Sequence, residues 1–178
     1  MRYILGLFVS FFCLCSAAQA QLTRSDVSAI TDMEYEILQS RDLKRAFDFY
    51  NLVLDGELKV AIRDIHILPD TYNRTDNISF SKKSYIEYQT NFFKEYTLKS
   101  HEIKIKRISN VGASKRALVE YVLKSKFYKK LPAEKGGFLQ ERHIKATCRD
   151  VYLVEGLSAL LSRRDCTHRN DYLTGVED

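Results

Sequence analysis

His101-Glu102-Ile103-Lys104-Ile105-Lys106-Arg107-Ile108 alternates charged and apolar residues, the period of a β-strand with one face buried. Asn110-Val111-Gly112-Ala113-Ser114 interrupts the run as a turn, and Arg116 to Tyr128 returns as a second long strand. Setting Glu102 opposite Lys124 puts Lys106 opposite Glu120 on the same face. On the other face Ile103 then meets Leu123 and Ile105 meets Tyr121. Register fixes both faces of a hairpin at once, so charge pairs outside and apolar pairs inside make one consistent reading.

A second hairpin follows, with strands over Phe138 to Val154 and Leu157 to His168. Placing Cys148 opposite Cys166 brings Asp150 to Arg164 and, on the reverse side, Arg149 to Asp165. Tyr152 then meets Ser162, Val154 meets Leu160, and Glu155 to Ala159 turn around Gly156. Opposite charges coincide on both faces, which a slip of one residue destroys. In an oxidising compartment this pair reads as a structural disulfide, with two separately buried thiols as the alternative.

Upstream the period is helical. Residues 24 to 41 carry Val27, Ile30, Ile37 and Leu38 on one face, and a second helix carries Leu43, Ala46, Phe47, Tyr50 and Leu54. Asp55-Gly56 is expected to end it, because glycine tolerates the left-handed cap. Val60 to Leu68 reads as a strand, Pro69 to Asn77 as a loop, and Ile78 to Phe80 as a short return. A third helix runs from Ser81 to Tyr96, with Tyr85, Tyr88, Gln89, Phe92, Phe93 and Tyr96 as its inner stripe; Ser81 and Ser84-x-x-Glu87 compete as its start. Leu131 to Gly137 is a loop, and residues 169–178 read as a flexible polar tail.

The first twenty residues form an export signal: Arg2, an apolar core from Ile4 to Leu14, and the A-x-A box Ala18-Gln19-Ala20 before Gln21. The apolar run is short for a bilayer of about 30 Å, so the mature chain is expected to start at Gln21, with no integral membrane segment after cleavage and a periplasmic or secreted location. A formal net charge of +5 is mild and does not imply nucleic acid. With 11 Tyr, 10 Phe and no Trp, the core is expected to rest on Tyr and Phe, and two Pro and seven Gly argue against a disordered chain. Asn73-Arg74-Thr75 and Asn77-Ile78-Ser79 fit the glycosylation acceptor pattern, which matters only in a eukaryotic secretory pathway. His66, His101, His143 and His168 lack metal-ligand spacing, and no phosphate loop, dinucleotide fingerprint or G-x-S-x-G elbow is present, so no metal or cofactor is expected.

This order resembles the nuclear transport factor two-like superfamily. The resemblance rests on Arg41-Asp42-Leu43 entering the second helix, Val60-Ala61-Ile62-Arg63-Asp64 in the first strand, Ser81 opening the third helix, and the strands after Lys99. It covers residues 24 to 168 and places the domain at 21–168. It implies an α+β fold, a cone-like, strongly curved and mostly antiparallel sheet wrapped around three helices, with a pocket at the wide end. The superfamily includes ketosteroid isomerases and polyketide cyclases as well as association domains, among them subunits of type IV secretion assemblies.

Two functions follow from the resemblance. In the first, an exported non-enzymatic domain binds a protein partner or dimerises through its sheet. In the second, a small lyase or isomerase works on an apolar small molecule, with Asp64, His66, Asp150 and Tyr152 as polar groups of the pocket. Asp64 and His66 share a strand face and read either as a proton-transfer pair or as polar residues of a solvated edge strand. Asp150 reads as the structural partner of Arg164, since a buried carboxylate without one costs several kcal/mol. An open cavity with converging carboxylate, His or Tyr favours the enzyme; a cone filled by Phe92, Phe93, Tyr121 and Tyr152 favours the binding domain.

Overall fold

Thr23 and Asp26 cap each other at the start of the first described helix. The Thr23 amide donates to Asp26 Oδ2 (2.8 Å), and the Asp26 amide donates to Thr23 Oγ1 (3.2 Å). The computed structural model describes residues 21–68, 73–111, 115–131, 139–155 and 158–176; the expected export signal and the expected turns or loops around Gly112, Gly136 and Gly156 lie outside them. Helix α1 (Arg24–Gln39) buries Val27, Ile37 and Leu38. Arg41, at φ 58°, turns the chain left-handed into helix α2 (Leu43–Val53), where Asp42 Oδ1 accepts the Arg45 amide at 3.0 Å.

Asp55-Gly56 does not end this helix. The chain passes at Leu54 directly into strand β1 (Leu54–Ile67), and Gly56 lies within it. Nothing lies within 4 Å of where a Cβ would stand there, so local space does not require the glycine. Strand β2 (Arg74–Ser81) is longer than its apolar residues indicate. Helix α3 (Lys82–Glu95) starts after Ser81, whose amide donates to Ser84 Oγ at 3.0 Å. Besides Tyr85 and Phe93 it buries Ile86 and Thr90, while Tyr88 and Phe92 are half-buried.

Strands β3 (Thr97–Val111), β4 (Arg116–Lys130), β5 (Leu139–Glu155) and β6 (Ser158–Val176) complete a six-stranded sheet in the order β2-β1-β6-β5-β4-β3. Neighbours run antiparallel except β1 and β6, which are parallel. Both long hairpins keep the registers read from their charges over their middle stretches, with two register shifts each. Glu102 faces Lys124 and Ile105 faces Tyr121, but Glu120 then faces Arg107 rather than Lys106. Lys106 is the extra residue, and Arg24 from α1 donates to the carbonyls of Ile105 (2.7 Å) and Lys106 (3.4 Å) there. In the second hairpin Cys148, Arg149 and Asp150 face Cys166, Asp165 and Arg164, after which Tyr152 meets Leu161 and Val154 meets Ala159. Ser162 is displaced into the bulge, where its hydroxyl donates to the Val151 carbonyl at 3.0 Å.

The flexible tail is the largest correction. Strand β6 continues to Val176, paired with β5 as far as Leu139 and with β1 as far as Asp171. Asn170, read as tail, is completely buried.

Candidate functional site

Alternation along β1, β5 and β6 sends one set of side chains inward beneath the helices, and the ladders sort them into layers. At the narrow end Asp150 faces Arg164. Next, Cys148 faces Cys166 beside Ile62; then Ala146, His168 and Asp64 lie in line. Ile144, Asn170 and His66 follow, and Arg142 faces Tyr172 at the wide end.

The narrow end is an ionic knot. Arg164 donates to both oxygens of the fully buried Asp150 (2.8–3.2 Å) and through Nη1 to the Tyr85 hydroxyl (2.6 Å). Tyr121 donates its hydroxyl to Asp150 at 3.1 Å. Burial works against the Arg164 charge, but the Asp150 carboxylate beside it wins and holds its proton more tightly than usual. Burial also pushes the Tyr121 and Tyr85 hydroxyls up, so both stay neutral.

Asp64 and His66 are not a pair. β1 is an interior strand, which overturns the solvated-edge reading, and Asp64 is buried with Oδ1 3.0 Å from Nδ1 of His168 on β6. Asn170 adds a hydrogen bond to Asp64 at 3.4 Å. Burial opposes ionisation of Asp64, yet these partners outweigh it and lower its pKa. His66 instead lies 2.8 Å from the Tyr172 hydroxyl and 3.5 Å from Asp76.

Between α1, α3 and the sheet lies a cavity of about 80 Å³. Glu34, Tyr35, Tyr85, Phe92, Arg164 and His168 are among its walls. None of Asp64, His66, Asp150 and Tyr152 lines it; Asp64 stands behind His168, and Asp150 behind Arg164 and Tyr121. Tyr152 borders a separate void of about 10 Å³. Sequence reasoning missed Glu34, which accepts the Tyr50 hydroxyl at 2.9 Å and whose pKa burial raises. Its signal was an acid one helical turn from Ile30 and Leu38, on an otherwise apolar face. The sulfur atoms of Cys148 and Cys166 lie at disulfide distance, with Cα atoms 4.2 Å apart. Their closeness to His168 therefore makes no metal site, because bonded sulfurs offer no thiolate.

The outer face of the sheet carries a larger hollow, about 520 Å³, crossing from β2 to Lys106 on β3. Ala61, Arg63, Asn77, Thr147, Arg149 and Asp165 line it. Charges of both signs alternate there, with Arg149 3.4 Å from Glu120 and Arg163 2.8 Å from Asp165. Among the described residues no helix is long and apolar enough to cross a membrane.

No protein-family model and no curated protein sequence matches the chain. Among solved structures, the β subunit of the benzoate 1,2-dioxygenase from Burkholderia mallei is similar with a TM-score of 0.53 at 12% identity, over 84% of this chain and 92% of that one. An NTF2-like protein from Cytophaga hutchinsonii scores 0.49 at 12% identity, over 82% and 98%. A ketosteroid isomerase-like protein from Erwinia carotovora atroseptica scores 0.46 at 11% identity, over 79% and 92%. The chain has the nuclear transport factor two-like (NTF2-like) α+β fold: among the described residues, three helices against an open, mixed six-stranded sheet.

Proposed function

We propose that this protein is an exported, non-enzymatic association domain that uses the outer face of its sheet to bind a protein partner, foremost a second copy of itself. The carrying observation is a contrast of volumes. The cavity between α1, α3 and the sheet holds about 80 Å³, against roughly 300 Å³ or more for small-molecule pockets, whereas the outer hollow offers about 520 Å³. The interior carboxylates Asp64 and Asp150 are engaged by protein partners, and Phe93, Tyr121 and Tyr152 are buried as filling. Outside, mixed charges allow a two-fold contact in which the arginines of one copy meet the acids of the other. Half-buried Leu118, Val151, Leu153 and Leu160 sit on the same face by strand alternation.

Light scattering on residues 21–178 tests this reading. A dimer mass that Thr147→Arg converts to a monomer, with an unchanged melting temperature, supports it. A monomer mass at every concentration excludes self-association. Intact-mass measurement of the exported form tests the start at Gln21.

One observation favours a lyase or isomerase. His168, backed by Asp64, and Glu34, whose pKa burial raises, share the cavity wall, an arrangement suited to removing one proton and supplying another. On that reading, small apolar ketones exchange α-deuterium in the presence of the protein but not of His168→Ala. Exchange that is equal with both, or absent with both, counts against it.

A further inference from the structure

Arg164 and Arg142 both project inward from the β5–β6 ladder, yet their surroundings differ. Arg164 is neutralised by direct contact with Asp150. Arg142 is only 8% exposed, and among the described residues no carboxylate lies within ion-pair distance of it. Its Nε and Nη2 both donate to Asn170 Oδ1, at 3.2 and 2.9 Å. The Asn170 amide is fixed in turn by Nδ2 donating to the Ile65 carbonyl (3.3 Å) and Asp64 (3.4 Å). Asp64, across that amide, is already engaged by His168.

The guanidinium carbon lies 4.9 Å from the Phe92 ring centre, 5.3 Å from Tyr172 and 5.5 Å from Tyr96. Ring faces stabilise a cation without cancelling its charge. Lys129 sits 4.7 Å from the Tyr96 ring centre, its charge paired with Glu95 at 3.4 Å. Nearby acids are engaged elsewhere: Glu141 by Lys99 and His143, and Glu95 by Lys129. No buried polar side-chain atom among the described residues lacks a partner. Nη1, for which those residues supply no acceptor, is therefore not fully buried.

We propose that Arg142 anchors an anion site at the wide end of the cone, taking the carboxylate of a small organic acid whose apolar body rests against the Phe92, Tyr96 and Tyr172 rings. A guanidinium tied along one edge and open along the other is preorganised for a carboxylate fork. The site lies on the inner face of the sheet, so it stands or fails separately from the association surface.

The test is an NMR titration of ¹⁵N-labelled residues 21–178, cysteines oxidised, with phenylacetate and with its neutral isostere phenylacetamide. Phenylacetate is expected to shift the Arg142 Nε–H signal saturably, with the amide at least about tenfold weaker. Arg142→Gln is expected to abolish the effect. Arg142→Lys, which keeps the charge but removes the planar fork, is expected to weaken it while keeping the fold, and serves if Arg142→Gln does not fold. Absence of a saturable shift, equal binding of the amide, or undiminished binding by Arg142→Lys overturns the proposal. Equal shifts with inorganic phosphate mean an adventitious ion only, and overturn it too.

Discussion

Arg164 holds both carboxylate oxygens of Asp150 across the β5–β6 ladder, in a site where Asp150 has no solvent exposure. Each charge is tolerated only because the other is present.

Asp150→Ala should therefore cost about 3–5 kcal/mol in urea unfolding, since it leaves a buried guanidinium uncompensated. Replacing both residues with apolar ones of similar volume should cost less than the single change. A loss below about 1 kcal/mol for Asp150→Ala would place the pair in the weak class of solvated surface bridges.

The cysteine pair closes a short loop, 18 residues apart in sequence. Replacing both cysteines with serine should destabilise the domain by roughly 3 kcal/mol on chain-entropy grounds. That corresponds to a melting temperature lower by about 6–12 °C. Thiol reagents should label neither cysteine in the unfolded, unreduced exported protein; two reactive thiols would contradict the bond.

Burial raises the pKa of Glu34, so the folded state binds its proton more tightly than the unfolded chain does. Stability contributed by this group is then complete below its ordinary value of 4.5 and is lost as pH rises through the folded value. Glu34→Gln should consequently raise the melting temperature at pH 7 and change it little at pH 4. A uniform shift at both pH values would contradict the titration.

Asp64 has the opposite sign, because His168 and Asn170 lower its pKa. Its stabilisation is present above the unfolded value near 3.8 and disappears as pH falls through the folded one. Asp64→Asn should remove part of the acid sensitivity below about pH 4, read from melting curves as a shallower slope than wild type.

Deleting residues 169–178 should unfold the domain or lower its melting temperature severely, because it removes Asn170 and the ladder pairs beyond His168. A truncated chain as stable as the full one would return the segment to the status of a tail.

What the sequence disclosed was local. The β3–β4 and β5–β6 registers could be read because charges and apolar residues agree on both faces of each hairpin. The bulges at Lys106 and Ser162 could not, since one extra residue leaves no mark on alternation until its partner strand is known. Asn170 and Tyr172 looked like tail because the core there is built from a polar network, without the apolar run that marks a strand. His168 meets Asp64 only through parallel β1–β6 pairing, a long-range contact that neither segment advertises. The helix-to-strand passage at Leu54 was hidden by Gly56, whose ordinary role as a cap outweighed its presence within a strand.

The strand order carries a consequence for assembly. β1 and β2 come first in the chain, β3 to β5 later, and among the six strands only β6 touches both groups. Until β6 is in place, the sheet exists as two unjoined pieces, each with an unsatisfied edge, and the concave wall has a gap where Arg164, Cys166, His168 and Asn170 belong. The two pieces therefore join only when β6 pairs with both, which makes the sheet's closure a single long-range event.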